Sequence, residues 1–433
     1  MRRLAREGPR VNRDDTDEVP SYCSGMNKTP QARDLAITQR GTAWLGQFAV
    51  EDRELARDIL DMLTLVAHSE FERGLTSAIE DAAREISGPV ALFATREWPP
   101  AVPYFSDEAK PVDALPSGAD IGSEGRVASL IRNLCRGRPT QFLNHPTIEE
   151  MRGCKCRAIF VVDDFVGSGQ RTADFLSAMW LSETLRSWKS LHLIDFIAIA
   201  YSGTSEGMRR VRTTDVSADV VIFRDCPTLG DLPNTPQRRK QMENLLWRYA
   251  KRTSNAWYGL GFGRIGVFLV FEHGCPDNCP AVLWSSGPKE TWLPMFPSRS
   301  VLSEEASVFP PEIARRDPRA MMISVGQRRL ARSPALGRRG SVGSAVLTIL
   351  GLVAQGSRTR SAIGFATGYA AKDVGRILEK CILWKLITPS FRVTQAGVAE
   401  LNYAKRLRMG VKSIPPLGPD EYYPIQLRGP RDG

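Results

Sequence analysis

The segment Ala158–Thr172, AIFVVDDFVGSGQRT, constrains the fold more than any other stretch of the chain. Five apolar residues run into two adjacent carboxylates, Asp163 and Asp164. A small-residue loop, Gly167-Ser168-Gly169, then leads into a helical pattern. An apolar run this short reads as a strand buried on both faces, which needs helices on both sides of its sheet. The segment therefore predicts an α/β fold built on a parallel sheet. At the carboxyl end of such a strand, glycines let the backbone approach a ligand. The loop N–H groups and the helix N-terminus then suit a phosphate. Two carboxylates do not suit the phosphate itself, because like charges repel. They suit sugar hydroxyls, whose hydrogen bonds they accept, or Mg²⁺. Phosphate, diol and metal together describe a ribose 5-phosphate. The plainer reading is a strand-to-helix cap, with Ser168 helping to start the helix.

The surrounding pattern agrees with a doubly wound sheet. Val90–Thr95, Ala158–Val162, Leu191–Tyr201 and Ala218–Phe223 are apolar runs of strand length. Helical segments near 123–135, 170–186 and 206–211 separate them. A helix over 236–252 and a strand over Ile265–Phe271 follow. Upstream, Asp52–Ala67 places Leu55, Ile59, Leu60, Leu63 and Val66 on one helical stripe, and Ser69 with Glu72 forms a capping box for a second helix. The Pro-rich stretch Trp98–Pro116 predicts a long surface loop.

The strand, double acid and Gly/Ser/Thr loop resemble the phosphoribosyltransferase signature, over a domain placed at residues 31–311. The resemblance implies that Asp163 and Asp164 bind the ribose hydroxyls of phosphoribosyl pyrophosphate or a nucleotide, with Mg²⁺ as a candidate cofactor. It implies that Val166, Gly167, Ser168, Gly169, Gln170, Arg171 and Thr172 hold the 5′-phosphate. Arg171 departs from the family, which has a small hydroxyl residue there; Thr172 follows one place later. Arg96, just past the first strand, falls where the family places a pyrophosphate-binding turn, and its forked guanidinium suits phosphate oxygens. It is equally readable as a surface residue. Tyr201-Ser202-Gly203-Thr204 ends the third strand beside the same pocket. No residue stands out as a general base.

Cys154-x-Cys156 and Cys275-x3-Cys279 match no zinc-finger spacing, so they read as free thiols rather than ligands. His273 and Asn278, beside the second pair, read as candidates for a functional loop; His68, His145 and His192 are isolated.

Charge divides the chain. Residues 312–433 hold 21 Lys/Arg against 8 Asp/Glu, whereas the remaining residues are close to neutral. Residues 312–340 carry eight Arg with little apolar periodicity and read as a linker. Residues 341–408 resume a compact pattern: helices at Ser344–Ala354, Ser361–Ala366 and Tyr369–Lys385, two short strands around Pro389, and a helix from Thr394. This is the winged helix-turn-helix plan, and FRVTQAGVAEL resembles the wing and following helix of bacterial winged-helix proteins. On that plan Tyr369, Lys372 and Arg376 face a nucleic-acid groove, Arg358, Arg360 and Lys380 meet phosphates, and Arg392 lies in the wing. Winged helices that bind protein instead are the competing expectation.

A phosphoribosyltransferase-like domain joined to a winged helix resembles the effectors of retrons, bacterial reverse-transcriptase defence systems. That implies a complex with a reverse transcriptase and its msDNA. The alternative is a transcriptional regulator that senses phosphoribosyl pyrophosphate or a nucleotide and binds DNA. Residues 1–30 and 409–433 read as polar tails. The chain has no apolar run of the ~18 residues a membrane helix requires and no signal-peptide core. With eight Cys in 433 residues, a reducing cytoplasmic setting is expected.

Overall fold

The structure, a computed structural model, describes residues 34–113, 123–232, 235–310, 317–336 and 342–407. Its strands are β1 (Thr64–Val66), β2 (Val90–Ala94), β3 (Phe142–Asn144), β4 (Ala158–Val166), β5 (Asp195–Gly203), β6 (Asp219–Asp225) and β7 (Leu269–Phe271). Five of them form one sheet in the order β3-β2-β4-β5-β6, every pair parallel. Side chains alternate across it. Leu92, Phe160, Val162 and Ile199 face helices His68–Arg84 and Ser123–Gly137, whereas Phe93, Ile159, Val161 and Ala198 join the cluster of Phe175, Leu176 and Leu185 from helices Gln170–Trp180 and Glu183–Ser190. The chain leaves β2 in one direction, to β3, and returns across it to β4. This reversal opens a crevice between the carboxyl ends of β2 and β4, where α/β sheets bind ligands.

Several elements differ from expectation. The helix foreseen over Asp52–Ala67 stops at Asp61, and Thr64–Val66 becomes β1, paired in parallel with β7. Apolar periodicity cannot distinguish a helical turn from a three-residue strand when the partner lies some two hundred residues away. The helix after β1 begins at His68, so Ser69 is not its cap. Ala67 occupies that place, and the His68 N–H donates to Glu272 Oε2 at 2.8 Å. The expected helix over 170–186 breaks at Leu181, where Ser182 caps a new helix by accepting the Leu185 N–H. β4 runs four residues past Val162, through both acids, because its backbone keeps pairing with β5 as far as Val166.

The Arg-rich stretch 312–340 is not an open linker where it is described. Helices Pro318–Ser324 and Arg328–Ala331 bury Met321, Met322, Leu330 and Ala331 in one cluster with Leu350, Ile363, Leu378 and Leu401. These four are inward, whereas Ile323 is 49% exposed, so no clean apolar stripe shows in the sequence. Arg315, Arg316, Arg338, Arg339 and both expected tails lie outside the described residues. Helices Val342–Ala354, Arg360–Thr367, Ala371–Leu383 and Gln395–Arg406 complete the winged-helix core, with Gly368 (φ 70°) turning the chain between the second and third. The two expected wing strands reduce to one bridge, Ile387 to Val393, and Val398 is exposed rather than inward. Phe365 from the second of these helices enters the main core of the sheet domain. No helix among the described residues is long and apolar enough to cross a membrane.

Candidate functional site

β4 delivers Asp163 and Asp164 to its carboxyl end, where both are buried. Their four oxygens all have protein partners. Arg171 Nη2 donates to Asp163 Oδ1 at 2.6 Å and to Asp164 Oδ1 at 3.1 Å; Thr172 Oγ1 donates to Asp163 Oδ2 at 3.2 Å; His273 Nε2 lies 3.2 Å from Asp164 Oδ2. The departure from the family pattern at Arg171 is thus an internal counter-ion. Burial pushes the Asp163 carboxyl up, to about 8, against the pull of Arg171. Burial acts on Asp164 too, yet the hydrogen bond from His273 and the charge of Arg171 hold it well below the usual carboxylate range. The two neighbouring acids are thus driven in opposite directions by their different partners.

The loop beyond β4 folds as an anion cradle. Gly169 has φ 75° and precedes the helix Gln170–Trp180; a Cβ there would meet the Gly207 carbonyl oxygen at 2.4 Å. At Gly167 a Cβ would lie 2.1 Å from Asn278 Oδ1, so that side chain would have to shift. Gly169 has no side chain to cap the helix, and Ser168 Oγ reaches only the Gln170 N–H, at 3.4 Å. The first-turn N–H groups and the positive end of the helix dipole therefore suit an anion. Thr204 braces the loop from β5, donating to the Gly167 carbonyl at 2.6 Å. Gln170 turns outward to Asp174 and Arg210, and Val166 is buried beneath the loop.

Across the crevice, the Thr95 N–H donates to Val162 O at 2.8 Å, so the chain past β2 runs directly beside β4. Arg96 follows it, 7% exposed, its guanidinium 4.6 Å above the Trp98 ring. A nearly enclosed cation at the reversal point suits a second phosphate. Thr95 Oγ1, Ser202 Oγ and the Nδ1 atoms of His68 and His273 are buried at the carboxyl edge without hydrogen-bond partners among the described residues.

A divalent cation on the acid pair would compete with the Arg171 guanidinium for the same oxygens. The described residues gather no three acidic, His or Cys side chains that could hold one. As arranged, the pair does not fit a resident Mg²⁺. Cys275 and Cys279 are buried, and Cys154 lies on the surface.

His273, read as a candidate for a functional loop, reaches the acid pair, and His68 is the residue the sequence concealed. The end of β7 was visible as a polar strand end, but nothing signalled His68, because its approach depends on the pairing of β1 with β7. That pairing stacks the two imidazoles, 6.0 Å apart and 9° from parallel.

The winged helix presents its cations differently from expectation. Lys372 Nζ donates to Asp81 of the sheet domain at 2.9 Å, and Arg360 lies 3.7 Å from Asp225 while donating to Ala371 O. Arg358 braces the wing, donating to Val353 O and Phe391 O. The carbonyls of Gly368 and Tyr369 accept from Arg224, which also donates to Glu70. Arg376 donates to Asp373 on its own helix, Lys380 is half-buried and Arg392 is exposed.

Comparison with curated proteins and with solved structures returns no match. A family model described as wHTH-PRTase associated matches residues 347–429, over the winged-helix core. A second, PRTase-CE, matches residues 42–298, more than half of the chain and the whole parallel sheet with its crevice. The chain therefore belongs to the PRTase-CE family, a phosphoribosyltransferase-like α/β domain joined here to a C-terminal winged helix.

Proposed function

We propose that the crevice between β2 and β4 binds a phosphoribosyl ligand, phosphoribosyl pyrophosphate or a nucleotide. The observation that carries this is the helix start behind Gly169, which no side chain caps beyond one long contact, set directly beside an enclosed acid pair. The Val166–Thr172 loop takes the 5′-phosphate and Arg96 a further phosphate. Asp163 and Asp164 accept from the ribose hydroxyls once Arg171 swings away. The Arg171 side chain is 32% exposed and so has a path outward, toward the phosphates it would then meet. Mg²⁺ enters, on this reading, bound to the ligand's diphosphate. Titration of the full chain with phosphoribosyl pyrophosphate in a calorimeter tests it. Asp163→Asn with Asp164→Asn should lose more than about tenfold in affinity; unchanged binding would remove the pocket.

The domain pairing supports an effector whose winged helix engages nucleic acid, in a retron defence complex with a reverse transcriptase and msDNA. The seating of the recognition helix on the sheet domain supports restraint through that same region. Mass spectrometry of what co-purifies decides: reverse transcriptase with msDNA supports the effector. An operator DNA supports the second reading, a non-enzymatic regulator. One observation favours that regulator, namely that Arg171 already pairs with both acids, through one oxygen of each.

A further inference from the structure

The near-neutral charge of the sheet domain hides a local excess. Residues 236–264 carry seven Lys/Arg against one acid, Glu243, which Lys240 pairs at 3.0 Å. The segment ends in AWYGLGFGR, an aromatic and glycine run that the phosphoribosyl reading leaves unused. It folds into two short turns, Ala256–Tyr258 and Phe262–Arg264, packed against one another. Trp257 is 75% exposed and Phe262 41% exposed, and the Tyr258 ring lies 6.0 Å from that of Phe262. Lys251 and Arg264 are exposed beside them in sequence, and neither pairs with an acid among the described residues.

This exposure is not looseness. Gly261 and Gly263 take φ of 75° and 71°, and a Cβ on Gly261 would lie 2.0 Å from the Asn278 carbonyl oxygen. The Phe262 N–H donates to Asp277 O at 2.8 Å, and Asn278 Nδ2 donates to Phe262 O at 2.9 Å. A loop held this firmly, with its largest aromatic ring in water, forgoes the burial that such a ring otherwise gains.

We propose that the turns Ala256–Tyr258 and Phe262–Arg264 form a stacking platform for an unpaired nucleic-acid strand. Bases lie on the faces of Trp257 and Phe262, while Lys251 and Arg264 meet the phosphates. Aromatic faces interleaved with cations are what a single strand requires, because every base has a flat face and every linkage a negative charge. In a duplex those faces are covered by neighbouring bases, so the platform selects single strands. The unpaired positive charge favours a polyanion over another protein surface. The platform lies outside the winged helix, and its binding does not depend on a ligand in the crevice. It nevertheless borders the phosphate loop: Asn278, which holds Phe262 through Nδ2, directs Oδ1 at the place a Gly167 Cβ would occupy, 2.1 Å away.

Fluorescein-labelled oligo(dT) of about 15 nucleotides, a length one such site can cover, is titrated against the full chain by anisotropy, with a duplex of equal length as the control. Trp257→Ala combined with Phe262→Ala should weaken the single strand about tenfold or more and leave the duplex unchanged. Trp257→Phe, which keeps a flat ring, should retain most of the affinity. Arg264→Gln should reduce the salt slope by about one. The platform is overturned if the unsubstituted chain binds no oligo(dT), if the alanine pair binds it as before, or if duplex binding falls equally. It is also overturned if the alanine pair changes the oligomeric state in sedimentation while strand binding stays intact, which makes the patch a contact between copies. Calorimetry of the same variant with phosphoribosyl pyrophosphate reads the crevice separately, so either assignment can fail without the other.

Discussion

The two functional regions handle charge in opposite ways. At the carboxyl edge of the sheet, two buried acids pair with the partly exposed Arg171, within ten residues of one another in sequence. In the winged helix, cations lie near the surface and find partners across the domain boundary, at Asp81 and Asp225. A buried pair is specified by local chain geometry and is costly to break, whereas a surface pair is screened by water and exchangeable. The first arrangement suits a site that keeps its shape until a ligand competes for the same oxygens. The second suits one that must let go.

That contrast can be broken most sharply at Arg171. Arg171→Met leaves two buried acids without their counter-ion and should destabilise the protein by about 3–5 kcal/mol. Urea denaturation measures the loss. Adding Asp163→Asn and Asp164→Asn should restore most of it, and a failure to do so would mean the cluster is not self-contained.

Acid should also discriminate between the regions, because all four histidines lie in the sheet domain. His145, past β3, accepts the Ala94 N–H at Nε2 (2.9 Å), and burial together with the charge of Arg96 pushes its pKa down to about 4. A depressed histidine stabilises the fold fully above its unfolded value near 6.5, and that contribution is lost as the pH falls from there toward 4. Folding free energy should drop by about 3 kcal/mol across this window. In His145→Gln the slope over the same window should be shallower.

Arg224 holds the boundary itself, bridging Glu70 to the helix-turn carbonyls. Arg224→Met should cost about 1–2 kcal/mol through the lost hydrogen bonds to Gly368 and Tyr369, since Glu70 keeps Arg73 and Tyr201, and raise duplex-DNA affinity several-fold by freeing the recognition helix. Gel-shift titration at two salt concentrations reads it. Unchanged affinity would mean that docking does not restrain DNA binding.

The smallest effect is expected at the surface. Lys372→Ala, or its partner change Asp81→Ala, should alter stability by less than about 1 kcal/mol. Only Lys372→Ala should weaken nucleic-acid binding, whereas Asp81→Ala should leave it equal or stronger. A double-mutant cycle separates the two roles.

Much of this was legible before folding. The order strand, double acid, glycine loop and helix depends on neighbours within reach of one hydrogen bond or one periodic turn, so Asp163 to Thr172 assemble as read. The helix-turn-helix was visible for the same reason, with Gly368 at its bend. The helices at 318–331 were not, because their inward residues Met321, Met322, Leu330 and Ala331 are interleaved with exposed Arg319, Ile323, Arg328 and Arg329 and give no clear period. The last turn of the helix expected before Ala67 failed because Thr64–Val66 takes its hydrogen bonds from β7.

Local sequence alone settled which residues stand at the carboxyl end of β4 and where a winged helix begins. Tertiary structure decided what faces it. His273 reaches Asp164 across 109 residues, Arg224 reaches Gly368 across 144, and Lys372 reaches Asp81 across 291. Propensity and periodicity act over a few residues, whereas these contacts exist only once burial of the two cores has carried distant segments together.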